Sequence, residues 1–130
     1  MNDRYLYRAK RKNNGKWVQG YYANCLFPSS DVRTGHFIIE YPGEYHEIFT
    51  STICQCTGLK DKNGKLIWEN DIVWDSEERK FYKIIFSQED MCYYAQDADG
   101  YKDVFESCYG SSIEVESNIF DNPELLEVGE

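Results

Sequence analysis

Short runs of alternating apolar and polar residues fill the chain, and turn-forming residues separate them at intervals of about eight to twelve positions. Tyr5, Tyr7 and Ala9 alternate with Leu6, Arg8 and Lys10, and Asn13-Asn14-Gly15 supplies the left-handed backbone of a tight turn. Residues 16–22 return as the partner strand, with Gly20 placed for a bulge. Residues 26–31 read as irregular, residues 36–41 as a strand stopped by Pro42-Gly43, and residues 47–55 as a further β-branched strand. Residues 57–65 form a loop turned by Asn63-Gly64, and residues 66–68 re-enter the interior. Ile72, Val73 and Trp74 make a short central strand, followed by a charged turn over residues 75–78. Further strands are predicted at 81–86, at 91–95 and 101–105 as a hairpin around Asp99-Gly100, and at 113–116. Asn122 as a cap, Pro123 at the first helical position and Glu124 in the first turn predict a short C-terminal helix that packs Leu125 and Leu126. The expected fold is therefore mostly β with minor α, a single domain over residues 1–130.

Composition agrees with this pattern. A chain of 130 residues with 42% hydrophobic and 28% charged residues has the make-up of a globular domain. Aromatic residues reach 16%, which favours strands. Tyr21, Tyr22, Tyr41, Tyr45, Tyr93, Tyr94, Tyr101 and Tyr109 exceed what one small core easily holds. The net charge of −9 is unevenly spread. Residues 1–20 carry Arg4, Arg8, Lys10, Arg11, Lys12 and Lys16 against Asp3, whereas residues 71–130 carry sixteen acidic and four basic residues. So acidic a chain disfavours a phosphate backbone as a general partner. The basic start reads either as a solvated hairpin face paired with the acidic half or as a local nucleic-acid contact. No run approaches the ~18 apolar residues of a membrane helix, and the first residues lack the apolar stretch of a signal peptide, which gives a cytosolic expectation.

Candidate chemistry is sparse. The odd number of cysteines (Cys25, Cys54, Cys56, Cys92, Cys108) suits a reducing compartment. Cys54 and Cys56, two apart in a strand, share one face as small buried hydrophobes, and neither His36 nor His46 keeps zinc spacing to a cysteine. Asp97-Ala98-Asp99-Gly100 resembles the start of a calcium loop, but position six is Lys102 and position twelve is Cys108, so a hairpin tip explains it better. Adjacent acids such as Glu77-Glu78 and Glu89-Asp90 read as solvated turns rather than a catalytic pair. Phosphate-cradling glycine loops and nucleophile elbows are absent from the sequence. No cofactor or metal is expected, and an enzyme would require a pocket gathering His36 or His46 with a cysteine and a carboxylate.

Three ordered blocks are similar to one family. Residues 7–21, with Tyr7-Arg8-Ala9-Lys10-Arg11 and Asn14-Gly15-Lys16-Trp17-Val18-Gln19-Gly20-Tyr21, resemble the opening "FRGKR…NGxWVxGY" of the YopX family of phage and prophage proteins. Residues 55–73, from Gln55 through Thr57-Gly58-Leu59-Lys60-Asp61-Lys62-Asn63-Gly64 to Asp71-Ile72-Val73, resemble "QYTGLKDKNGKxIxEGDIV". Residues 114–126, including Asn118, Asn122-Pro123 and Glu124-Leu125-Leu126, resemble "EVIGNIYENPELL". Cys56 replaces an aromatic residue, and Asn70 and Ser117 replace glycines. Asn70 can keep the left-handed turn. The resemblance implies several coiled β-sheets including an SH3-like barrel, encoded by a phage or prophage, and implies no activity.

The motif residues read first as architecture, with a binding edge as the second reading. Gly58, Asn63, Gly64 and Asn70 are expected to form turns, Leu59, Ile67, Ile72 and Val73 to be core, and Asp71 to accept backbone N–H bonds, while Thr57, Asp61, Asn122 and Pro123 complete the structural motif. The expected function is that of a non-enzymatic phage accessory protein acting through protein contacts or self-association. The alternatives are an acidic nucleic-acid mimic that antagonises a host defence, or a nucleic-acid-binding module using the basic hairpin.

Overall fold

The computed structural model describes residues 5–25, 35–105 and 112–127. The irregular stretch expected at 26–31, together with Cys108 and Tyr109, lies outside them, as does the side chain of Cys25. The chain divides into two compact units, Met1–Cys56 and Thr57–Glu130.

The first unit holds β1 (Tyr7–Lys10), β2 (Trp17–Cys25), β3 (Gly35–Glu40) and β4 (Glu44–Glu47), and the start of β5 (Cys54–Lys60). Sheet order here is β4-β3-β2-β1-β5, with antiparallel neighbours. The β1–β2 turn is the predicted one: Gly15 has φ +72°, its N–H donates to Arg11 O at 2.8 Å, and Lys16 N–H donates to Asn14 Oδ1 at 2.9 Å. Ala9, Val18, Ile38 and Ile48 form the core, flanked by Tyr7, Tyr22 and Ile53. Burying one isoleucine contributes about 1.5–3 kcal/mol, against at most about 1 kcal/mol for a surface ion pair such as Lys12–Glu47. Apolar packing therefore holds this unit.

Two expectations change here. Gly20 pairs in unbroken register with Tyr7, so it makes no bulge. Its backbone is approached closely by β3, and a Cβ at this position would lie 2.2 Å from Ile39 O. The strand predicted over 47–55 is interrupted by a 3-10 turn at Thr50–Thr52. Thr52 is the cause: its hydroxyl donates to Phe49 O at 2.7 Å and accepts Lys10 N–H at 2.8 Å, diverting the backbone from the ladder. Cys54 and Cys56 are buried as expected.

The second unit contains the rest of β5, then β6 (Leu66–Trp68), β7 (Asp71–Asp75), β8 (Lys80–Ser87), β9 (Cys92–Gln96), β10 (Lys102–Val104), β11 (Ile113–Asn118) and helix α1 (Glu124–Glu127). β6 pairs with β5, and β10-β9-β8-β7-β11 form an antiparallel sheet in that order. Ile67, Val73, Ile84, Ala95, Phe105 and Ile113 make its core, with Leu59, Tyr82, Tyr93 and Val115 packed on it. The turn at 75–78 and the hairpin tip at Asp97–Gly100 are where the sequence placed them. The mostly β fold and the C-terminal helix are as expected, and the described strands form two sheets with no closed barrel among them.

Candidate functional site

The central block is built around two buried carboxylates. Asp61 is 6% exposed; its Oδ1 accepts N–H from Asn63 and Lys65, both at 2.9 Å, and its Oδ2 accepts Val115 N–H of β11, also at 2.9 Å. Burial raises its pKa, but the bonds from Val115, Lys65 and Asn63 outweigh that and leave it below the ordinary aspartate value. Asp71, fully buried, accepts Trp68 N–H at 2.8 Å, the role expected of it. Thr57 donates its hydroxyl to Ile67 O and accepts Leu59 N–H.

The remaining motif residues divide between core and turns. Leu59 and Val73 pack in the core, and Ile72 is fully buried. Asn63 and Gly64 form the exposed turn, with Gly64 at φ +83°. Asn70 takes φ +73°, the conformation for which a glycine is otherwise suited. Gly58 also has a positive φ, +84°, yet it sits inside β5 rather than in a turn. Asn122 and Pro123 precede α1, where the Asn122 side chain accepts the Ser117 hydroxyl and donates to Glu124.

On the first unit, strand alternation sorts side chains onto two faces. Ala9, Val18, Tyr22 and Ile38 face the core. Cross-strand partners on the opposite face form a row, Tyr21–Ile39–Tyr45, across β2, β3 and β4. Tyr21 and Tyr45 are 40% and 41% exposed. Along β1 and the start of β2, the same alternation sets Arg8 and Lys10 beside Trp17, with the Arg8 guanidinium 4.7 Å and Lys10 Nζ 5.4 Å from the ring centre. Two of the clefts among the described residues bear on candidate surfaces. One of about 750 Å³ is bordered by Arg11, Lys12, Tyr45, His46 and Glu47 in the first unit. The other, about 350 Å³, lies between Lys80, Phe81, Asp97 and Leu125 in the second.

One cluster was not legible from sequence. Glu40, Glu44 and His46 present ligand-type atoms within 4.8 Å of one another. Histidine and cysteine spacing does not reveal it, because its members meet across a hairpin. The signal available was the placement of Glu40, Glu44 and His46 at alternate positions around Pro42-Gly43.

A family model described as YopX protein matches residues 6–127. Among solved structures, the chain is similar to the crystal structure of protein EF1440 from Enterococcus faecalis, at 28% identity and a TM-score of 0.57, covering 92% of this chain and 96% of that one. No curated protein matches. Among the described residues, no helix is long and apolar enough to cross a membrane.

Proposed function

Because the chain belongs to the YopX family over residues 6–127, we propose that it is a non-enzymatic accessory protein of a phage or prophage, acting in the host cytosol through protein contacts and first of all by self-association. The observation that carries this reading is the row Tyr21–Ile39–Tyr45, two tyrosines about an isoleucine, set on a sheet face that also bears Arg8, Lys10 and Trp17. Tyrosine and arginine are enriched at protein interfaces, since both offer large contact area with a polar end. A second copy is the occupant because it brings the complementary charge, the stretch 71–130 with sixteen acidic and four basic residues. Contact between a cationic patch and an acidic one on identical chains can be reciprocal, closing as a two-fold dimer, or head-to-tail, extending as rings or filaments.

Sedimentation equilibrium over a dilution series tests the proposal. Association is expected to weaken as salt rises, and Tyr21→Ala with Tyr45→Ala is expected to weaken it by at least about tenfold. A chain that stays monomeric at about 0.1 mM and low salt contradicts it.

A second reading, direct binding of single-stranded nucleic acid, is favoured by the cations flanking Trp17. It requires gel-shift retardation that fades steeply with salt, and a chain that causes no shift at low salt removes it.

A further inference from the structure

The turn Tyr41-Pro42-Gly43 joins β3 to β4, and its N–H from Gly43 donates to Glu40 O at 2.8 Å. The resulting register places Glu40 directly opposite Glu44, and Ile38 opposite His46. Because alternate residues on paired strands share a face, Glu40, Glu44 and His46 all project to the same side as Ile38. Placement beside that fully buried isoleucine leaves the His46 side chain only 11% exposed, while the two carboxylates remain at 47% and 70%. Glu40 Oε1 stands 3.0 Å and Glu44 Oε1 3.7 Å from the same ring nitrogen, His46 Nε2.

Two like charges directly opposite in a sheet destabilise it. A neutral imidazole offers one proton at Nε2, which serves one of the two carboxylates and leaves the other facing its neighbour's charge. A divalent cation resolves the conflict by taking all three atoms at once. We propose that Glu40, Glu44 and His46 form a binding site for a divalent transition-metal ion of the zinc, cobalt or manganese kind. One imidazole with two carboxylates is a mixed nitrogen–oxygen donor set that suits these ions, whereas magnesium and calcium prefer oxygen alone. Coordination through Nε2 needs the neutral ring, so its proton resides at Nδ1, and any proton held at Nε2 is released to water. Glu44 and His46 also border the 750 Å³ cleft, which Arg11 and Lys12 line as well, so two of the three ligand side chains adjoin a space open to water.

Metal-stripped full-length protein titrated with Zn²⁺ by calorimetry, and with Co²⁺ by visible absorption, tests the site. One saturable event per chain is expected, weakened at least about tenfold by His46→Ala and by Glu44→Gln. Co²⁺ should give weak d–d bands without the intense near-ultraviolet absorption of a cobalt thiolate, and Mg²⁺ should not compete. Circular-dichroism melting establishes that each variant is folded; if His46→Ala is not, the exposed substitution Glu44→Gln decides. No heat at millimolar Zn²⁺, undiminished binding in folded His46→Ala or in Glu44→Gln, or a thiolate band that moves the ion to a cysteine each overturns the assignment.

Discussion

Asp61 ties the backbone at Asn63 and Lys65 to that of Val115 through a single buried carboxylate. Replacing it by asparagine turns one acceptor oxygen into a donor, which leaves a buried N–H facing another donor. Asp61→Asn is therefore expected to cost about 1–3 kcal/mol in urea unfolding at neutral pH. The acid dependence has a definite sign. A depressed aspartate pKa contributes stability that is complete above the ordinary value of 3.8 and is lost as pH falls through the lower folded value. The gap between wild type and Asp61→Asn should thus narrow as pH drops below about 4, and a gap that widens would contradict the assignment. At this scale much was legible. The roles of Asp71 and Asn70 follow from residue type and position, because a short polar side chain beside a turn has few partners other than nearby backbone. The three-way reach of Asp61 was not legible, since Val115 lies 54 residues away.

Strands and turns were largely legible where local chemistry decided them. Asn13-Asn14-Gly15, Asn63-Gly64 and Asp99-Gly100 all turn the chain, because their residues accept positive φ or bond their own backbone. Expectation failed where a distant segment intervened. Thr52 looks like a strand residue by propensity, but its hydroxyl finds Lys10 across the sheet and the chain turns instead. Gly20 looks like a bulge, but it is needed because β3 crosses its Cα too closely for any side chain. Gly20→Ala is consequently expected to destabilise the protein by roughly 2–3 kcal/mol in denaturant titration, although alanine is elsewhere easier to order than glycine. A neutral or stabilising result would show that β3 can withdraw at no cost. The Glu40–Glu44–His46 cluster belongs with these cases, since strand register brings its members together and the alternate spacing around Pro42-Gly43 acquires meaning only once the hairpin is formed.

Across the whole chain, charge is segregated: six basic residues and one acidic among the first twenty, and sixteen acidic against four basic from 71 onward. The proposed self-association through the first unit would give that segregation a use and would set the Tyr21–Ile39–Tyr45 row against a partner. The central block, by contrast, spends its carboxylates and its threonine hydroxyl on backbone bonds, which is the work of scaffold. A concentration series of ¹H–¹⁵N NMR spectra tests the account most directly, from about 10 μM to about 1 mM, a range that brackets weak protein contacts. Concentration-dependent shifts or broadening are expected at Tyr21, Ile39 and Tyr45 and at residues of the acidic stretch, receding as salt is added. Spectra that superimpose over the whole range, or changes that spare the Tyr21–Ile39–Tyr45 row, would contradict it.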